Sequence, residues 1–181
     1  MMPPPRSVPV EDITHASVAP FGWLLGKPDP SKPEPFGFRS PASDFWHEHA
    51  FDSGTNGDTE VLWVKYRDNG PLVSKLEVHH VTQQAVVPLT NAIVQILCVS
   101  HADRSPDLST LRAFRLSPGV GLCMRPGIWH ATRADDATCL MLTRRSTTID
   151  LVDHLVNKYA AKESASSAIP QVRLIVDDAD R

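Results

Sequence analysis

The stretch Leu76–Leu89 reads LEVHHVTQQAVVPL. It begins as a strand in which Glu77 and His79 stand two residues apart, so both side chains leave the same face. Gln84 follows after four intervening residues, and Val86–Pro88 has the character of a further strand. A carboxylate, an imidazole and an amide in this spacing can converge on a metal ion or on one small polar substrate.

Short strands punctuated by turns surround this stretch. Segments with strand-like alternation or continuous apolar character are Trp23–Leu25, Glu60–Arg67, Leu72–His80, Ala92–Ser100, Leu111–Leu116 and Ala137–Arg145. Eight or more such strands, with no long helix before residue 148, predict an all-β barrel or sandwich. Apolar residues at helical spacing over Thr148–Tyr159 predict an amphipathic C-terminal helix. Gln171–Val176 can add an edge strand or a partner contact.

Length and composition limit the function classes. A chain of 181 residues suits one domain. A net charge of −3 without blocks of like charge argues against nucleic acid and membrane partners. No apolar run approaches the roughly 20 residues of a membrane span, and the N-terminus lacks the apolar core of a signal peptide. The dispersed cysteines, which predict buried reduced thiols in a cytoplasmic protein, are Cys98, Cys123 and Cys139.

Within this single domain we predict three parts. Residues 1–44 form a Pro-rich arm with the first strand, 45–147 form the barrel core, and 148–181 form the C-terminal helix and tail, in which KESASS is linker-like. The segment Asp44–Asp52, DFWHEHAFD, is predicted to be a loop or lid over the barrel mouth. His47 and His49 in it can alternatively extend the site or bind a metal ion themselves.

Two motifs together resemble the cupins, which fold as a double-stranded β-helix (jelly-roll) barrel. Glu77-x-His79-x4-Gln84 resembles the first cupin motif, with Glu for the first histidine and Gln for the acid. Pro126-Gly127-Ile128-Trp129-His130 resembles the second motif. In a small barrel, inward side chains from separate strands meet around a space that holds one ligand, so His130 is expected opposite the first motif.

Further segments resemble the ureidoglycolate lyase family within the cupins. They are Ala19–Gly22, Leu76–Leu89, Pro106–Phe114 and Gly127–His130, in the family's order over roughly residues 18 to 145. The chain departs from many bacterial members at Cys123–Gly127, where they have a Tyr-His-Arg-Gly run, and at Ala131, where they have a second histidine. The family's Asp-Arg pair is here Thr143–Arg144.

The resemblance implies cleavage of (S)-ureidoglycolate into glyoxylate and urea, as in purine and allantoin breakdown, with no organic cofactor. The expected catalytic residues are Glu77, His79 and His130, and the expected substrate contacts are Gln84, Arg112, Arg125, Trp129 and Lys65. Glu77, His79, Gln84 and His130 can also hold one divalent ion, with manganese, zinc and nickel left open. A small carboxylate substrate and a homodimer are the expected partners.

Two other functions stay open at this stage. One is a metal-dependent cupin enzyme (an isomerase, hydratase or decarboxylase) acting on another small hydroxy or keto acid. The other is a cupin that binds a small carboxylate without turnover. Both remain because fold transfers within such families more readily than activity.

Overall fold

The computed structural model describes residues 5–28 and 37–176, and most of these residues lie in β-strands. There is one helix of several turns, α2, besides the single turn α1 (His15–Val18) and a 3-10 turn (Leu108–Thr110) in the described residues. The elements are β1 (Arg6–Asp12), β2 (Gly22–Leu25), β3 (Gly37–Arg39), β4 (Asp44–Trp46), β5 (Thr59–Tyr66), β6 (Leu72–His79), β7 (Gln84–Pro88), β8 (Ile93–Cys98), β9 (Arg112–Leu116), β10 (Gly121–Met124), β11 (Trp129–Ala134), β12 (Ala137–Arg144), α2 (Arg145–Asn157) and β13 (Ser164–Ile175).

Six strands close a barrel in the order β1-β13-β6-β11-β8-β9. The first and last strands complete it, because β1 pairs in parallel with both β13 and β9. The barrel is filled by one apolar cluster, whose most deeply buried members include Val73, Leu76, Val78, Ile96 and Cys98. Along β6 from Leu76, and along β8, these residues alternate with residues that point away from the barrel interior.

A five-stranded sheet, in the order β2-β10-β7-β12-β5, packs against one wall of this barrel. A second apolar cluster fills the space between them, with Leu97 and Phe114 from the barrel wall and Val86, Leu122 and Met141 from the sheet. The barrel wall therefore has two buried faces. Inward residues fill the barrel, and outward residues line the inter-sheet space, where polar side chains of the wall meet those of the sheet.

The predicted all-β class and C-terminal helix are confirmed, with the helix beginning at Arg145 instead of Thr148. The predicted Pro-rich arm contains the strand β1, which the sequence did not indicate, and the linker prediction was wrong for the start of β13. Nor does β13 lie at an edge, since it sits between β1 and β6. The division at residues 44 and 147 stays a prediction, although strands from all three parts share the barrel.

Two composition-based predictions can be placed in the structure. The three cysteines are buried and free of disulfides. Burial raises the pKa of Cys98 and of Cys123 to about 12 and that of Cys139 to about 11. Among the described residues, no helix has both the length and the apolar character that crossing a membrane requires.

Candidate active site

Two neighbouring strands of the barrel wall bring three predicted residues together. Glu77 and His79 lie on β6, and His130 lies on β11 directly opposite Glu77 in the antiparallel pairing. Their strand neighbours Leu76 and Val78 fill the barrel, so the period of two directs Glu77 and His79 into the inter-sheet space. His79 and His130 are almost fully buried, whereas the side chain of Glu77 is 40% exposed.

The three side chains form a compact cluster. One ligand atom from each lies within 4.8 Å of the others. Nε2 of His130 is 3.3 Å from Oε1 of Glu77. The two imidazole rings have centroids 5.1 Å apart and planes inclined by 57°. The predicted convergence of Glu77, His79 and His130 is therefore present in the structure.

The hydrogen-bond partners of each imidazole determine which ring nitrogen carries the hydrogen. Nδ1 of His130 is 3.0 Å from the carbonyl oxygen of Ile128, which can only accept, so Nδ1 carries the hydrogen. In the neutral ring, Nε2 then carries a lone pair, and this buried atom accepts no hydrogen bond, although Oε1 of Glu77 lies 3.3 Å away. Nε2 of His79 accepts from the amide N–H of Gln84 at 3.1 Å, so its hydrogen lies on Nδ1, which is 3.3 Å from the hydroxyl of Ser164 on β13. Both rings thus direct Nε2 toward the shared space.

The surroundings of Glu77 and His79 on β6 lower the pKa of both side chains. Burial opposes ionisation of Glu77, but the adjacent His130 and His79 outweigh it and lower the pKa of Glu77 to about 2. Burial, with a smaller contribution from His130, lowers the pKa of His79 to about 4. Near neutral pH the site therefore holds an ionised carboxylate beside a neutral imidazole.

This donor set fits a divalent metal ion. Two imidazole Nε2 atoms and one carboxylate are ligands that zinc, manganese and nickel accept. The Nδ1 contacts of both rings also match the outer contacts that usually orient metal-binding histidines. The observation that favours a ligand is the buried Nε2 lone pair of His130, which faces the carboxylate of Glu77 and accepts no hydrogen bond. Glu77, His79 and His130 would hold the ion.

Gln84 reaches the site from the opposite sheet. It lies at the start of β7, is almost fully buried, and its amide nitrogen contacts Nε2 of His79. A narrow cleft lies beside these groups. Its lining residues are His79, Thr82, Gln84, Met124, Arg125, Ile128 and His130.

The side chains of two predicted substrate contacts, Trp129 and Lys65, lie away from the cluster. Trp129 is the strand neighbour of His130, so it points the opposite way into the barrel, where its indole N–H donates to the carbonyl of Arg104 at 3.1 Å. Lys65 is exposed and pairs with Asp136 at 3.3 Å. Its neighbour Tyr66 occupies the inward face, which excludes Lys65 from it.

The two predicted arginines are engaged by other groups. The guanidinium of Arg112 forms an ion pair with Glu11 and donates to the carbonyl of Ser17 at 3.0 Å, so the structure does not bring it to the cluster. The guanidinium of Arg125 donates to the carbonyl of Ala19 at 2.6 Å and stacks 4.2 Å above the ring of Trp23. Arg125 nevertheless lines the small space beside His79.

The aromatic and imidazole segment does not extend the cluster. His49 stacks on Trp23 with ring centroids 4.0 Å apart and contacts the side chain of Gln83 at 2.9 Å. Phe45 and Trp46 belong to the two-stranded β3–β4 hairpin and are exposed. Neither imidazole of the segment is part of the grouped ligand atoms found in the described chain.

Sequence reasoning missed several polar side chains of the inter-sheet space. Thr132 donates to Gln95 at 3.0 Å and also hydrogen-bonds Tyr66, whose pKa is raised to about 12 chiefly by burial. Glu60 and Thr143 lie on the inner face of the five-stranded sheet. The available signal was alternation, since Glu60 and Tyr66 share parity with the inward-facing apolar residues of β5.

The fold and this cluster define a mostly β protein with a histidine–carboxylate centre between a barrel wall and a facing sheet. Residues 5–158 match the family described as Ureidoglycolate lyase, and the chain belongs to that family. A putative ureidoglycolate lyase from Agrobacterium fabrum (strain C58) is 29% identical over 72 residues. That alignment covers 39% of this chain and 44% of the relative, so the chain spans less than half of the relative's length.

Solved structures with lower similarity were also found. A dTDP sugar isomerase from Desulfovibrio desulfuricans G20 has a TM-score of 0.42 at 13% identity, covering 74% of this chain and 80% of that one. A dTDP-4-dehydrorhamnose 3,5-epimerase from Bacillus anthracis has a TM-score of 0.43 at 17% identity, with coverage of 82% and 89%. The substrates of these enzymes carry no argument about the substrate here.

Proposed function

We propose that this protein is a ureidoglycolate lyase-like enzyme, a carbon–nitrogen lyase that cleaves (S)-ureidoglycolate into glyoxylate and urea. The observation that carries the proposal is the cluster of Glu77, His79 and His130, with both Nε2 atoms directed into one buried space. Membership of the family supports the reaction class. The cupin double-stranded β-helix is part of the same proposal, supported by a site built from facing strands of two layers.

The reaction requires only proton movement. The hydroxyl proton leaves, the carbinol carbon forms the aldehyde C=O of glyoxylate, and the carbon–nitrogen bond breaks. The departing nitrogen takes up a proton and becomes urea, so no oxidant or reductant is needed. The enzyme must therefore accept one proton near the hydroxyl and return one to nitrogen.

His130 is the residue best suited to accept the hydroxyl proton in the ion-free site. Its Nε2 lone pair is buried and without a partner. Glu77 is a poor base because its pKa is lowered to about 2, but its negative charge 3.3 Å away stabilises the imidazolium that forms. His79, with its pKa lowered to about 4, stays neutral and orients the substrate.

A divalent ion bound at Glu77, His79 and His130 would supply Lewis-acid polarisation of the substrate hydroxyl and carboxylate. The ion and the proton compete for the same Nε2 lone pair of His130. The two versions of the proposal therefore differ in their response to a chelator. Loss of activity on chelation supports the metal version, and unchanged activity supports the acid–base version.

The direct test measures glyoxylate release from ureidoglycolate above the spontaneous rate. We expect activity in the wild-type protein and its loss in His130→Ala. His101→Gln, which changes an exposed loop histidine, is the matched control and should retain activity. Equal rates for the wild type and His130→Ala would contradict the proposal. Binding of a small carboxylate without turnover would instead support a non-catalytic role.

We also infer that the protein is a homodimer. Support comes from an apolar patch on the outer face of the five-stranded sheet, where Val61 is 62% and Trp63 is 70% exposed beside Leu142 and Leu140 on β12. Sedimentation velocity should show a dimer that Trp63→Ser shifts toward monomer. A monomeric wild-type protein would contradict this.

The free buried cysteines support a cytoplasmic location, which cell fractionation tests.

A further inference from the structure

Three buried side-chain polar atoms lack a hydrogen-bond partner in the described part of the chain. They are Nε2 of His130, Oε2 of Glu60 and Oγ1 of Thr143. A buried polar atom without a partner destabilises a folded protein, so such atoms are rare and call for an explanation. The first belongs to the cluster described above, whereas no role has been given to the other two.

Glu60 and Thr143 lie side by side on the inner face of the five-stranded sheet. They are opposite each other in the antiparallel pairing of β5 with β12. Glu60 has the same strand parity as Leu62 and Val64, and Thr143 has the parity of Met141, all of which pack in the inter-sheet core. Thr143 is only 3% exposed, so bulk solvent does not reach its hydroxyl.

Thr143 also lies beside a residue of the candidate active site on the neighbouring strand β7. Leu142 pairs with Ala85, so the next positions along the two strands place Thr143 beside Gln84. Gln84 in turn contacts Nε2 of His79 at 3.1 Å across the inter-sheet space. A polar row therefore runs along the inner face of the sheet from Glu60 through Thr143 to Gln84, whose amide reaches His79.

We propose that Glu60, Thr143 and Gln84 form a subsite for the carbamoyl end, –CO–NH₂, of the substrate. The carboxylate of Glu60 can accept from the amide N–H groups, and the hydroxyl of Thr143 can donate to the carbamoyl oxygen. The negative charge of Glu60 disfavours the substrate carboxylate at this end of the site. The subsite rests on the proposed function for the identity of its ligand, but it makes a prediction about binding alone.

Two stable ligands that differ only at the carbamoyl end test this subsite independently of the rest of the site. N-carbamoylglycine and N-acetylglycine have similar size and charge, but the first ends in NH₂ and the second in CH₃. We expect the wild-type protein to bind N-carbamoylglycine roughly tenfold or more tightly, because a lost hydrogen bond leaves the buried Oε2 of Glu60 unpaired. In Glu60→Gln and in Thr143→Val the preference should fall to less than about threefold in titration calorimetry.

The matched control is Thr138→Val, on the outer face of the same strand, which should keep the preference. Ligand-free Thr143→Val should melt at or above the wild-type temperature, since it removes an unpaired buried hydroxyl. A preference that survives both site variants, or no binding of either ligand by the wild type, would overturn the subsite. A preference that the variants abolish, in a protein that releases no glyoxylate, would refute the lyase proposal and leave the subsite standing.

Discussion

His79 should make the folded protein sensitive to mild acid. The unfolded ring takes up a proton near pH 6.5, whereas burial and the neighbouring His130 lower the pKa of the folded ring to about 4. Between these values the unfolded state binds more protons than the folded state. The contribution of His79 to stability is therefore fully present above pH 6.5 and is lost as the pH falls toward 4.

The pKa difference sets the size of the effect. About 2.5 pKa units at about 1.4 kcal/mol each give a loss of about 3 kcal/mol in the free energy of unfolding. Glu77 acts in a different window, because its folded pKa of about 2 makes it lose stability only below about pH 4.5. The region between pH 6.5 and 4.5 therefore isolates most of the contribution of His79.

Urea unfolding of the chelator-treated protein at a series of pH values measures this slope. The wild type should lose up to about 3 kcal/mol between pH 7.5 and 4.5, beyond the loss shown by His79→Asn. His101→Asn, at an exposed loop position, controls for removal of a histidine as such. If His79→Asn shows the same pH slope as the wild type, His79 is not held neutral by burial, and the protonation states assigned to the site are wrong.

Three further predictions concern the contacts of the site. Ser164→Ala removes the Nδ1 partner of His79, so calorimetry should show roughly 10- to 100-fold weaker binding of Zn²⁺ with the fold intact. Unchanged affinity would exclude an orienting role for Ser164. Glu77→Gln should abolish one-to-one binding of Zn²⁺, while Lys65→Gln on the outer face should not, and equal loss in both would point to non-specific binding. Glu11→Gln should lower the free energy of unfolding by less than about 1 kcal/mol and leave glyoxylate release unchanged, since a large loss of activity would return its partner Arg112 to the site.

Strand alternation explains why the central residues of the site could be predicted from the sequence. Glu77 and His79 share a face because they are two residues apart, and this needs no knowledge of the partner strands. The same rule applied to Trp129 places its side chain on the face opposite His130, inside the barrel. Glu60 was likewise accessible, through its parity with Leu62.

Long-range pairing explains what sequence reasoning missed. Strand β1 contains Pro9, and β13 begins with small polar residues and contains an irregularity between Ala168 and Val172, so neither has a regular strand signature. Each is stabilised by pairing with chain that is distant in sequence. The contact of Ser164 with His79 depends on that pairing and could not be predicted from either segment alone.

The parallel pairing of β1 with β13 also has a consequence for the order of folding. Arg6 lies opposite Val172, so the contact joins residues from the two ends of the described chain. Loops of this length close slowly, and a ribosome makes the N-terminal partner first. Until β13 has emerged, β6 lacks one neighbour and His79 lacks its serine, so a nascent chain can hold the sequence of the site without having its geometry.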